Sequence, residues 1–313
     1  MQLRQLEALV AVADHGTFSA AADHLLTVQS NVSAHIARLE QELGATLVDR
    51  RTGELTDAGD AAVARARRVA SELAALASDV AAVGSIVVGK VRLGVIGTTA
   101  RWLVPALLRA VAAEYPRVNL VVVEATSTSL EPRVTAGDLD LAVVNLTSGR
   151  RTAGGDLIAD PLFEEDLVLV VPGGHALADR GEVDLSELDG LGLLMPPVGT
   201  AFRGELDAAA RAAGITIPAV AELDGLRLIA SLTMQGDGAA ILPASALPTW
   251  VDGPFHRVSV RGLPRRAVGL TRRRRDRLTA PSLAVVGLIR EVVASGTAAP
   301  PGVHRSVPAA DGR

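Results

Sequence analysis

Apolar residues near the start of the chain recur at helical spacing. Leu3, Leu6, Val10 and Ala13 lie 3, 4 and 3 apart, which predicts a helix that Gly16 ends. Thr17 or Ser19 is placed to cap a second helix with Phe18, Ala21, Ala22 and Leu25 on one stripe. A joint over 26–28 leads to a third helix, with Val32, Ile36, Leu39 and Leu43 spaced 4, 3 and 4. Two short helices on a tight turn, preceded by another, make a helix-turn-helix pattern. Segments 47–50 and 54–56 can then pair as a wing around Arg51-Thr52-Gly53. A long helix starts at Thr56 or Asp57, and in it Ala62, Ala66, Val69, Leu73, Leu76, Val80 and Val83 repeat at 4, 3, 4, 3, 4, 3. Such a heptad seam favours pairing with another helix; a helix lying on its own domain would carry a wider stripe.

Beyond about residue 90 the pattern changes to strands alternating with helices. Strands are predicted over 91–96, 119–123, 140–144, 167–171, 192–195, 239–242 and 267–270. Helices are predicted over 103–114, 130–136, 201–213, 226–235 and 281–293. This alternation predicts an α/β domain with a mainly parallel sheet covered by helices. Residues 296–313, rich in Pro, Ala and Gly, read as a disordered tail.

At 313 residues the chain is long enough for about two domains, and 49% hydrophobic residues supply their cores. Aromatic residues are only 2%, so those cores must be built from Ala, Val and Leu. No charge-free apolar run approaches the ~18 residues a membrane helix needs, and the opening residues lack signal-peptide order. A cytoplasmic protein without a membrane partner is expected. There is no cysteine, which removes disulfides, thiolate metal sites and cysteine nucleophiles.

A net charge of −4 argues against nucleic acid for the whole chain, so the local distribution decides. Residues 1–60 hold 4 Arg against 9 Asp and Glu, yet no acid falls between Asp23 and Glu40. At ~100° per residue, Ser30, Ala34 and Ala37 point away from the third helix's apolar stripe, flanked by Asn31, Ser33 and Arg38. Small and hydrogen-bonding residues without carboxylates let a helix approach a phosphate-bearing surface; a solvated face would carry them too. Arg50 and Arg51 on the wing are placed to meet phosphates, or to pair with Asp49 or Glu54.

No enzyme constellation emerges. Gly94-Val-Ile-Gly97 is not a dinucleotide fingerprint, the 6 histidines lack ligand spacing, and no GxSxG elbow occurs. We expect no catalytic residues, no metal and no cofactor. Arg265, Arg266, Arg277 and the run 272–275 are the densest charge cluster, either an anion-binding patch or a solvated edge.

The stretches Thr17–Leu25, Val28–Gly44, Leu47–Arg50 and Leu55–Gly59 resemble, collinearly, the DNA-binding domain of LysR-type transcriptional regulators. The resemblance implies a multidomain chain. Residues 1–58 would be an all-α winged helix-turn-helix DNA-binding domain and 59–89 a linker and dimerisation helix with a hinge. Residues 90–295 would be an α/β two-lobed, periplasmic-binding-protein-like effector domain, and 296–313 the tail. It also implies that Gln29, Ser30 and Ser33 contact DNA, joined by Asn31, Arg38, Arg50 and Arg51 from the pattern above. Ser30 stands where the family usually has Pro, Ala34 where it often has Arg, and Val48 where it usually has Phe, so operator preference is not transferred.

The later part is similar in element order and in phrases such as Gly137-Asp-Leu-Asp-Leu-Ala-Val and Gly238-Ala-Ala-Ile-Leu-Pro243. By resemblance, a small-molecule effector would touch Thr98, Thr99, Thr126, Ser127, Thr200 and Phe202 in the inter-lobe cleft. Arg101 is our addition for an anionic effector. Pairing through Val69, Leu73, Leu76 and Val80 would give a dimer or tetramer, with double-stranded DNA and RNA polymerase as partners. The alternatives are a solute-binding protein, read from the two-lobed half alone, and an α/β enzyme with an added DNA-binding domain.

Overall fold

A computed structural model describes residues 1–83, 86–146, 155–247, 253–297 and 299–305. The chain divides into two compact units, the first built on Met1–Ile86 and the second on most of the chain from Val87.

The first unit begins with α1 (Leu3–His15), α2 (Phe18–His24) and α3 (Gln29–Leu43). Gly16 and Gly44 end α1 and α3 in the left-handed conformation, and Thr17 caps α2 by accepting from the Ala20 amide. Val32, Ile36 and Leu39 of α3 are fully buried against Ala8, Leu9 and Val12 of α1. The buried stripe of α1 is therefore not the one expected. Gln5, Ala8, Leu9 and Val12 face inward, Leu6 and Ala13 sit at the margin, and Leu3 is exposed. Alanines blur the phase of an apolar stripe, so two neighbouring faces of α1 score almost alike. Leu43 is also exposed, at the last turn of α3. The wing shrinks to one bridge between Val48 and Leu55, closed by the Asp49 amide on the Glu54 carbonyl at 2.9 Å.

Helix α4 (Asp57–Val83) starts where Gly59 lies against Leu47. A Cβ at Gly59 would sit 2.0 Å from the Leu47 carbonyl oxygen, so only glycine fits. Along α4, Ala66 is buried, whereas Val69, Leu73, Leu76 and Val80 are 43%, 44%, 62% and 66% exposed. The seam is apolar and uncovered over these positions; the side chain of Val83 and the linker residues 84–85 lie outside the described residues.

The second unit contains two lobes. The strands of the first are β1 (Gly89–Val95), β2 (Val118–Glu124), β3 (Leu141–Leu146), β4 (Leu157–Glu165), β11 (Arg266–Arg273) and β12 (Val303–Arg305). They form a six-stranded sheet in the order β12-β4-β11-β3-β1-β2. The helices of this lobe are α5 (Gly97–Glu114), α6 (Ser127–Ala136) and α9 (Ala280–Ser295). The second lobe has strands β5 (Leu167–Pro172), β6 (Glu182–Asp184), β7 (Leu193–Met195), β8 (Ala219–Glu222), β9 (Ala240–Pro243) and β10 (Phe255–Arg261), with α7 (Ala201–Ala213) and α8 (Leu226–Gln235). Four of these strands form a sheet in the order β6-β10-β5-β9, and β7 and β8 form a separate pair.

The chain crosses between lobes twice, from β4 into β5 and from β10 into β11. These crossovers correct the expectation of a mainly parallel sheet. β1 runs parallel to β2 and β3, but β11 is antiparallel to β3 and β4, because a strand returning from the other lobe enters from the opposite end. The expected tail is also corrected in part. Residues 303–305 pair antiparallel with β4 as an edge strand, since its open hydrogen-bonding edge accepts any extended segment beside it. Residues 306–313 lie outside the described residues. Each lobe buries its own core, Leu93, Leu103 and Phe163 among the first and Leu169, Leu188 and Ile241 among the second.

Candidate nucleic-acid interface and ligand cavity

On α3 the side chains opposite the buried stripe are uncovered. Gln29, Ser30, Asn31, Ala34 and Arg38 are exposed, and Ser33 and Ala37 are half-buried. Arg50 reaches back from the wing to donate to the Ser33 hydroxyl at 3.2 Å and to Glu40 at 3.3 Å. The expected partners of Arg50, Asp49 and Glu54, are thus replaced by α3 itself. Asn31 donates to Thr27 at 3.0 Å, which pins it at the first turn, and exposed Arg51 lies at the wing tip. Sequence reasoning missed that Arg50 and Ser33 form one surface, because the contact spans 17 residues.

Between the lobes lies a cavity of about 260 Å³. Thr98, Thr126, Ser127, Thr200 and Phe202 all line it. Two expected residues do not. Thr99 is fully buried on the core side of α5, and Arg101 donates to the Ala246 carbonyl at 3.3 Å. Helix α5 begins at Gly97, six residues before the expected start at 103, so Thr99 turns toward the core, while Arg101 sits one turn above Gly97 and Thr98 and is taken up by the Ala246 carbonyl. Burial, then the nearby Arg227 charge, lowers the Arg101 pKa.

The side chains that dominate the cavity's electrostatics were not expected. Arg266 is 5% exposed and donates through Nη1 to the Thr98 hydroxyl and to the fully buried Glu165, each at 3.2 Å. Its guanidinium stands 5.6 Å over the Phe202 ring. Asn145, at the end of β3, donates to Glu205 of α7 at 2.9 Å and so joins the lobes. Burial holds the Glu205 carboxyl above its usual range, against the opposing hydrogen bond from Asn145 and the charge of Arg266. A second bridge between lobes runs from Arg227 of α8 to Glu124 at the end of β2, 2.7 Å apart. Gly97 is close enough to Glu124 that a Cβ would lie 2.8 Å from its Oε1. Arg266 belongs to the arginine cluster that composition exposed, but the cluster alone does not tell this cavity arginine from Arg273, buried on the Val134 and Leu139 carbonyls, or from the exposed Arg274 and Arg275.

An uncovered three-helix reading head with a short wing, together with a two-lobed domain enclosing a polar-rimmed cavity, defines a ligand-responsive DNA-binding protein. Residues 3–60 match the model of bacterial regulatory helix-turn-helix proteins of the lysR family, and residues 86–294 match the LysR substrate binding domain. The chain belongs to the LysR family of transcriptional regulators. A probable hydrogen peroxide-inducible genes activator of Streptomyces viridosporus is 36% identical over 248 residues, 78% of each chain. The DNA-binding transcriptional dual regulator OxyR of Escherichia coli is 30% identical, over 87% of this chain and 90% of that protein. In fold, the chain resembles a full-length OxyR variant from Pseudomonas aeruginosa at 22% identity, with a TM-score of 0.74 and 98% and 99% of the two chains covered. It also resembles full-length CbnR complexed with its target DNA at 25% identity, with a TM-score of 0.67 and 93% and 100% covered. Among the described residues no helix is long and apolar enough to cross a membrane, and no group of three or more His, Asp or Glu is arranged to hold a metal ion.

Proposed function

We propose that two copies of this protein, zipped along Val69, Leu73, Leu76 and Val80, set two α3 helices into successive major grooves of a promoter in the cytoplasm. Gln29, Ser30, Asn31 and Ser33 face base edges, while Arg38, Arg50 and Arg51 meet phosphates. A small-molecule effector in the inter-lobe cavity shifts the population of lobe arrangements and thereby the way the paired heads sit on DNA. The observation that carries this reading is the uncovered face of α3 from Gln29 to Arg38, a stretch without carboxylates, tied through Ser33 to Arg50.

Peroxide appears in the names of several relatives. This chain has no cysteine, so the thiolate oxidation ladder has nowhere to start, and we infer a non-covalent effector. The test is DNA binding by the full chain to its own upstream region. Affinity should fall steeply with salt as phosphate contacts release counterions. Ser33→Glu should abolish it while the unfolding curve stays unchanged. Retained binding in Ser33→Glu would remove α3 from the groove. Leu73→Asp with Leu76→Asp should give monomers by light scattering, and an unchanged mass would reject the seam.

A further inference from the structure

The run 272–277 ends β11 and turns the chain toward α9, and it holds five arginines and one acid. One of the five leaves the surface. Arg273 is 8% exposed, donates to the Val134 and Leu139 carbonyls at 2.7 and 3.0 Å, and takes Asp276, the acid of the run, as its ion-pair partner. That pairing withdraws the local carboxylate from the other four. Arg274, Arg275 and Arg277 are exposed and Arg272 is half-buried, and among the described residues none of them has a carboxylate in ion-pair reach. Several exposed arginines elsewhere in the effector domain are answered, Arg180 by Glu187, Arg261 by Asp184, Arg265 by Asp166 and Arg290 by Asp160, 2.9–3.2 Å apart. The whole chain has 35 acids against 31 basic residues, so the shortage at this loop is one of placement.

The loop is anchored at both ends. The Arg274 amide donates to the Asp156 carbonyl at 2.7 Å, and its guanidinium reaches the Leu157 carbonyl at 3.4 Å. A carbonyl leaves the charge of that guanidinium intact. Leu278 packs on the core of the first lobe, and Thr279 caps α9 by accepting from the Ser282 amide. Cations on a backbone held in this way have less freedom to lose when a partner binds.

The chemistry of the loop selects the partner. The run contains no apolar side chain, so it lacks the apolar centre around which protein interfaces form. Arginine forks fit phosphate oxygens, and duplex DNA presents one phosphate per ~1.7 Å of its axis. The reading head is short of such cations: residues 1–60 hold 4 Arg against 9 Asp and Glu, and Arg50 is shared with Glu40.

Taking α3 as the element that reads DNA, we propose that Arg272, Arg274, Arg275 and Arg277 form a second duplex-binding surface on the effector domain. It meets phosphates in addition to those that Arg38, Arg50 and Arg51 meet, and it adds affinity without sequence preference.

The test is fluorescence anisotropy of the full chain on a duplex from its own upstream region and on a scrambled duplex of the same length. Combining Arg274→Gln, Arg275→Gln and Arg277→Gln removes three exposed charges and leaves buried Arg273 in place, so the unfolding curve should not move. Binding to both duplexes should weaken about tenfold or more, and the slope of log affinity against log salt should fall by about 3 per chain. Lysine at the same three positions should restore the slope, because counterion release counts charges. Unchanged affinity and slope in the glutamine variant would make the loop a solvated edge. A loss confined to the upstream duplex, or one that lysine does not restore, would also overturn the proposal. So would poly-glutamate binding that matches the scrambled duplex and disappears in the glutamine variant, which would assign the loop to an acidic protein. Absence of any binding by the unaltered chain would remove the DNA reading of α3 as well, whereas normal binding untouched by the glutamines removes the loop alone.

Discussion

Glu165 and Arg266 are register partners on β4 and β11 and form a buried ion pair of 3.2 Å where the chain crosses between lobes. Glu165 also accepts from the Ser245 amide of the second lobe at 3.1 Å, so the pair ties Thr98, the hinge and the second lobe into one polar chain. Removing one partner strands a buried charge. Arg266→Met should cost about 3–5 kcal/mol in urea unfolding of the effector domain. Adding Glu165→Gln, which keeps an acceptor for Ser245, should recover about half of that. Additive losses in the double variant would mean that the two residues act independently.

Much of this architecture is legible in the sequence. Helices α7 and α8 fall on their expected bounds, because each has an uninterrupted apolar stripe and a glycine just past its end. Strand β4 escapes such a reading because Pro161 interrupts it beside a register shift, and β10 because its exposed face is polar and charged. The cavity's hydroxyls can be placed by resemblance, but Arg266 cannot. Its partners Thr98 and Glu165 lie 168 and 101 residues away, and no local pattern marks an arginine for burial.

Leu26 occupies the turn between α2 and α3 at φ 53 and is 94% exposed. The Thr27 amide reaches the Ala22 carbonyl at 2.9 Å and that of Leu26 reaches Asp23 at 3.2 Å, which puts Leu26 in the left-handed position that closes a helix. A branched side chain there is strained and buries nothing. Leu26→Gly should therefore stabilise the first unit by about 0.5–1 kcal/mol, read as a later first transition in chemical unfolding. A loss of stability would show that the exposed leucine has a partner in solution.

Arg50 is held toward α3 by Ser33 and Glu40, so its ordering cost on binding is already met in the free protein. Arg50→Ala should weaken DNA binding to every sequence alike and reduce the slope of log affinity against log salt by about 1. A sequence-selective loss with an unchanged slope would make Arg50 a base reader instead.

Glu205 gives the effector domain a pH dependence. Burial raises its pKa in the folded state, so its contribution is fully present below the unfolded value of ~4.3 and is lost as pH rises through the folded value. The ionised form is the one that burial penalises. Glu205→Gln keeps an acceptor for Asn145 and should flatten the stability profile above the ordinary glutamate range. A variant whose profile still falls there by the same amount would place the titrating group elsewhere.

The strand β12 lies beyond the 86–294 family match and fastens onto the hinge. Asp166, the first residue after β4, receives His304 at 2.8 Å on one carboxylate oxygen and Arg265 at 3.0 Å on the other. Its amide donates to the Gly302 carbonyl at 2.8 Å. Arg265 precedes β11, so a single carboxylate joins both crossovers to the C-terminal strand. Each exposed contact is worth little alone, but the pairing also covers the open edge of β4. Ending the chain at Ser295 should speed amide exchange over 161–167 and increase self-association through the bared edge, while leaving exchange in α1–α3 unchanged. Identical exchange over 161–167 in the shortened chain would mean that β12 does not restrain the hinge.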